Sequence, residues 1–231
     1  MKKEVSRGQF GAVISRVATQ VDWDQLDGDK LQNEVLSLPV DEFGRRFTAF
    51  LKAGARFILG GLKIACAAFN PADFIGTNWT FWKGPKDGNG LEGEEERDKA
   101  SLTLTEVDFA SADLLTCLEK GESSITGEEK IVRLQKLGRT IYGTTVAMGL
   151  WQDYQQNKKA GSVLEKLYQQ RGVTYIDFPG DVLRVPGGRR CVLVFSRDDD
   201  GSWRWDYVWL AHGWNGPCFS AVGPAQQVSS S

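Results

Sequence analysis

The only histidine of the chain, His212, stands a few residues before Cys218. A Cys–His pair is the minimum for a thiol nucleophile. Here no orienting third residue and no helix N-terminus accompanies it, so the pair reads as a surface histidine and a packed cysteine. No Gly-x-Ser-x-Gly elbow joins His212 to a serine. A single histidine excludes multi-His zinc sites and the His-Glu-x-x-His proteases. Cys66, Cys117, Cys191 and Cys218 form no Cys-x-x-Cys pair and read as buried free thiols. There is no phosphate-binding Walker loop and no Gly-x-Gly-x-x-Gly after a strand. The expectation is a protein with no catalytic residue, no metal and no cofactor.

Two other stretches carry chemistry. Asp87-Gly88-Asn89-Gly90-Leu91-Glu92-Gly93-Glu94-Glu95-Glu96 clusters carboxylates on glycines. Such a loop could hold a hard cation, but Leu91 and Glu92 break the EF-hand pattern, and a solvated acidic loop explains it better. The second is Trp203-Arg204-Trp205-Asp206-Tyr207-Val208-Trp209. In an extended strand Trp203, Trp205, Tyr207 and Trp209 share one face. That face is either a stacking platform for sugars, bases or Pro-rich peptides, or the core side packed by helices. Arg204 and Asp206 on the opposite face favour the core side. The unmet polar groups of buried indoles favour the platform. Ligand-binding residues are expected at Trp203, Trp205, Tyr207 and Trp209, with Trp79 and Trp82 beside the acidic loop.

The elements that would position these residues follow from pattern. Phe10 to Val21 and Phe43 to Leu51 carry apolar residues at helical spacing, the second capped by Asp41 and stopped by Gly54. Gly60-Gly61 suggests a hairpin. Asn70 to Gly76 reads as one helical turn, with Asn capping and Pro at the first helical position. Trp79 to Trp82 reads as a strand, as do Leu102 and Leu104. Leu114, Leu115 and Leu118 read as a helix ending at Gly121. Thr126-Gly127-Glu128-Glu129 matches a capping box ahead of Ile131, Leu134 and Leu137. Helices are expected again over Val146 to Tyr154 and, capped by Ser162, to Gly172. Strands over 173–178, 182–185, 190–195 and 203–210, joined by local turns, imply an antiparallel meander. The blocks predict an α+β protein: helical N-terminal and central segments, then a C-terminal antiparallel β-meander. The domain reading is 1–120, an α+β region with the acidic loop; 121–223, helices plus meander; and 224–231, a disordered tail.

Residues 69–76, then Trp79, Trp82-Lys83-Gly84-Pro85 and Gly90 to Glu95, together with Ser101 to Asp108, Gly121 to Lys130, Asp177 to Arg184 and Phe219 to Val222, make up a specific pattern. In it the chain resembles a family of uncharacterised bacterial proteins across most of residues 40–222. The resemblance implies a bacterial source and assigns no activity and no functional residue.

Composition bounds the partners. The 231 residues carry 28 Lys and Arg against 30 Asp and Glu, a formal charge of −2, which removes the electrostatic argument for nucleic acid. No apolar run is long enough to span a bilayer, and the N-terminus lacks the apolar run of a signal peptide, so a cytoplasmic protein with no membrane partner is expected. Function is read as non-catalytic binding of an unknown protein or small ligand, through the aromatic strand and the acidic loop. The alternative is a winged-helix-like DNA-binding regulator, with helices near 128–137, 144–156 and 162–171 ahead of a hairpin and a patch of Lys158, Lys159, Arg171, Arg184, Arg189 and Arg190.

Overall fold

The computed structural model describes residues 62–157 and 161–224, together with Ser37. The second of two compact units, Leu59–Ser231, holds all of these but Ser37. The helices expected over 10–21 and 41–51, the Gly60-Gly61 turn, Lys158, Lys159 and residues 225–231 of the tail lie outside the described residues.

Eleven strands and five helices follow one another here. They are β1 (Lys63–Ala65), α1 (Pro71–Phe74), β2 (Thr80–Phe81), α2 (Lys99–Leu102), β3 (Glu106–Asp108), β4 (Asp113–Leu115) and β5 (Ser124–Thr126), then α3 (Gly127–Lys136), α4 (Thr144–Gln156) and α5 (Val163–Arg171). The chain closes with β6 (Tyr175–Asp177), β7 (Leu183–Arg184), β8 (Arg190–Arg197), β9 (Trp203–Trp209), β10 (Gly213–Asn215) and β11 (Phe219–Val222).

The fold-class expectation is overturned. A mixed seven-stranded sheet dominates, in the order β2-β7-β8-β6-β11-β4, with β9 on β8. It is not an antiparallel meander behind a helical half. The local turns do produce the β7–β8 and β8–β9 hairpins. However, β6 pairs with β8, β11 runs parallel to β6, and β2 and β4 come from before residue 121. β9 takes one edge of β8 from Cys191 to Arg197, while β7 and β6 divide the other. Two further two-stranded sheets pair β1 with β3 and β5 with β10.

Two central segments change type. Leu114 and Leu115 form β4 against Ala221 and Ser220 of β11. Their helical spacing gives way because the sheet offers them a ladder, and packing overrides a weak local preference. Leu102 ends a helix, because the Asp98 carboxylate accepts the Ser101 amide at 2.9 Å and caps it. Other local signals hold. Asn70 caps α1 through Oδ1 to Ala72 N, Thr126 caps α3, and Ser162 caps α5. Gly172 closes α5 in the left-handed region, where glycine carries no Cβ penalty. The Glu129 carboxylate accepts from Arg133 at 3.0 Å, so the Thr126 hydroxyl works the cap without it.

Alternate residues of β8 serve two cores. Cys191, Leu193 and Phe195 join the main cluster with Val146 and Leu150 of α4 and Leu164 and Leu167 of α5. Val192 and Val194 face the other way, into a cluster with Ile131 of α3, Trp82, Leu210 and Trp214. The sheet is therefore covered on both faces, by α4 and α5 on one and by α3 on the other.

Candidate functional site

The β8–β9 register sets Trp209, Tyr207, Trp205 and Trp203 opposite Cys191, Leu193, Phe195 and Arg197. The aromatic face is thus the face of the main core. Trp203 is buried, and its amide donates to the Tyr154 hydroxyl at 2.9 Å. Trp205 is half-buried with its ring 4.8 Å from that of Phe74, and Tyr207 sits 4.6 Å from Trp79. The indole N–H groups of Trp203 and Trp209 are buried without an acceptor among the described residues.

Trp209 and Trp82 come together elsewhere. Both line a cavity of about 400 Å3 with Lys86, Glu128, Arg189, Arg190 and His212. The elements reach it for separate reasons. Trp82 follows β2, and its backbone is pinned by Val182 O and Glu96 N, both at 2.8 Å. Its indole N–H donates to Pro85 O at 3.1 Å. The acidic loop folds back over it through Lys83 N to Gly90 O and Gly84 N to Glu94 O. Gly90 lies against the indole at φ +73°, where an added Cβ would stand 2.5 Å from Cε3. The loop is exposed over 85–89 and 91–94, as read, and Gly90 alone is buried, against the ring.

Arg190, at the start of β8, clamps Glu96 with both terminal nitrogens at 2.5 and 2.8 Å, and its Nε donates to Glu128 at 2.8 Å. Burial works against the Arg190 charge, but the two carboxylates outweigh it and hold its pKa above the ordinary guanidinium value. Lys86 adds a second cation 3.5 Å from Glu128. Glu128 arrives in the first turn of α3, whose free amides are met by backbone carbonyls: Gly127 N to His212 O and Glu128 N to Leu210 O. Arg189 lies 4.1 Å over the Trp209 ring, and the exposed His212 ring stands 5.0 Å from the same indole. A smaller cavity of about 220 Å3 continues along Asp206, Tyr207, Trp209 and His212.

The structure thus brings Trp82 and Trp209 into one site, with the tip of the acidic loop. It places Trp205 and Tyr207 against Phe74 and Trp79, and it encloses Trp203. Cys218 does not line the cavity; its thiol donates to Asn215 Oδ1 at 3.4 Å, and burial pushes its pKa up. The order α3, α4, α5 is as read for the winged-helix alternative, but Glu165 of α5 is paired with Arg197 at 3.2 Å. Among the described residues no cluster of His, Cys, Asp and Glu could hold a metal ion, and no helix is long and apolar enough to cross a membrane.

Sequence reading missed the Arg190–Glu96–Glu128 clamp and a buried ion pair, Lys130–Asp177. Lys130 Nζ lies 2.5 Å from Asp177 Oδ2, with both side chains almost fully enclosed. Ser220 Oγ also donates to Asp177, and Lys130 Nζ donates to Cys218 O at 2.8 Å. The available signal for the pair was a lysine four residues before Leu134, on the inner stripe of α3, and an aspartate between Ile176 and Phe178. No protein-family model matches the chain, and no curated protein or solved structure is significantly similar to it.

Proposed function

We propose that the protein is a non-catalytic binding protein that takes a small, neutral polar ligand with a flat face, a sugar being the fitting class. The ligand enters where the end of β9 meets the loop around Lys86. The observation that carries this reading is the cavity itself. It gathers Trp209 of the aromatic strand, Trp82, and Lys86 of the loop in a volume within the range of small-molecule sites.

The charges support a neutral ligand. Lys86, Arg189 and Arg190 are balanced by Asp87, Glu96 and Glu128, and most are already paired with one another. Paired groups exert little net pull on an ion but keep spare N–H groups and lone pairs for hydroxyls. The indole supplies the flat apolar contact. The exposed Arg189 guanidinium now rests on Trp209, a contact of about 0.5–1 kcal/mol that a ligand ring can exchange for its own. Catalysis is not part of the reading, because Glu128 is held by Arg190 and Lys86 and the Cys218 thiol is pushed up. The DNA-binding alternative rests on helix order and on the basic patch, of which Arg190 is paired with Glu96 and Glu128 and Arg184 donates to Asn89 O.

Calorimetric titration with neutral mono- and disaccharides tests this. Saturable binding that is lost in Trp209→Ala, with the melting temperature retained, supports it. Absence of binding across the panel, or binding unchanged in Trp209→Ala, refutes it.

A further inference from the structure

We infer that β9 is a self-complementary edge through which two copies of this chain pair, antiparallel, about a two-fold axis at Trp205. This stands apart from the ligand reading. Among the described residues β9 pairs only with β8, and no described strand covers its other edge. The register shows which groups face that edge. Leu210 N bonds Arg190 O and Asp198 N bonds Ser202 O, so the even-numbered residues of β9 are the ones hydrogen-bonded to β8. The odd-numbered residues point their amides and carbonyls outward. Two of those amides confirm it: Trp203 N reaches the Tyr154 hydroxyl, and Tyr207 N turns to the neighbouring Asp206 carboxylate at 2.7 Å.

Charge selects the register. With the axis at Trp205, Arg204 of each copy falls opposite Asp206 of the other. These are non-hydrogen-bonded positions, where facing side chains approach closest. An axis at Arg204 or Asp206 would set like charges face to face. An axis at Trp203 or Tyr207 would leave Arg204 opposite Ser202, or Asp206 opposite Val208. Charges on an edge usually deter pairing. Here their opposite signs two residues apart deter foreign strands and match a second copy. The Trp205 amides and carbonyls then bond each other across the axis, while the Trp203 amide stays with the Tyr154 hydroxyl. Asp206 releases the Tyr207 amide and takes Arg204 of the second copy. Arg204, itself exposed, in turn gives up half-exposed Asp198 at 3.2 Å, a loss that costs little. On the other face Trp205 meets its own copy, covering a ring that is half-exposed, while Trp203 stays enclosed. The contact is isologous, as closed dimers require.

Sedimentation equilibrium of the full chain tests the pairing. Wild type is expected at twice its 25.6 kDa mass. Arg204→Asp and Asp206→Arg, both at exposed positions, are each expected to sediment as monomers with unchanged circular dichroism. The double variant Arg204→Asp/Asp206→Arg restores opposite charges and should restore the dimer. Amide exchange at Trp205 should slow as wild-type concentration rises. A wild type that is monomeric at every concentration overturns the proposal. So does a dimer that persists in both single variants, or a double variant that stays monomeric.

Discussion

Replacing Lys130 with Met removes the cation from an enclosed ion pair and leaves its shape nearly filled. The side chains of Lys130 and Asp177 are 2% and 1% exposed, and the charges stand 2.5 Å apart. Asp177 keeps the Ser220 hydroxyl, while Cys218 O loses its donor. Breaking one side of such a pair costs about 3–5 kcal/mol, because the carboxylate stays buried without its counter-charge. At 2–4 °C per kcal/mol for a chain of this size, melting should fall by roughly 6–20 °C. The double variant Lys130→Met/Asp177→Leu removes both charges and should recover to within about 2 kcal/mol of wild type, the Ser220 hydroxyl and Cys218 O being the remaining unmet groups. Acid should also rescue the single variant. Burial already pushes the Asp177 pKa up and Lys130 opposes that shift, so losing Lys130 raises it further. A folded-state pKa above the unfolded value means the folded form gains protons, so stability improves as pH falls through it. Urea denaturation of the wild type and both variants at two pH values measures all three effects. A loss under about 1 kcal/mol in Lys130→Met, or a double variant as unstable as the single, would refute the argument.

Three further outcomes are expected. Gly90→Ala should destabilise, since a Cβ there meets the Trp82 ring at 2.5 Å on a left-handed backbone, and denaturant melts should show the loss together with a changed tryptophan emission. Cys191, whose thiol burial pushes up to about 12, should resist alkylation at pH 8 until the protein is unfolded, as peptide mass mapping would show. Arg133 beside Glu122 holds that carboxyl down at about 2 against an ordinary 4.5, so its stabilisation is present above pH 4.5 and lost as pH falls toward 2. The melting-temperature gap between wild type and Glu122→Gln should therefore narrow over that window.

What the sequence made legible was local. Asn70, Thr126 and Ser162 cap the helices they announce, because a cap depends on residues within one turn. The turn over Asp198 to Gly201 closes the β8–β9 hairpin for the same reason. Leu114 and Leu115 misled because their partner strand, β11, lies about a hundred residues on, and no local pattern records that pairing. The site was half legible. Trp82 and Trp209 were both named, yet only the fold sets them around one cavity. Arg190 and Glu96 gave no sign of their clamp, since ion pairs between distant segments leave no spacing to read. The face of β9 stayed open in the sequence because alternation defines two faces without saying which is covered.

The central claim is that ligand occupies the cavity between Trp209 and Trp82. The most direct measurement is the set of tryptophan indole N–H signals, followed by nitrogen–proton correlation NMR during titration with a neutral disaccharide. Saturable shifts are expected at the Trp82 and Trp209 signals, assigned by single substitutions, while the enclosed Trp203 signal stays in place. Signals that do not move at saturating sugar, or movement at Trp203 with none at Trp209, would contradict it.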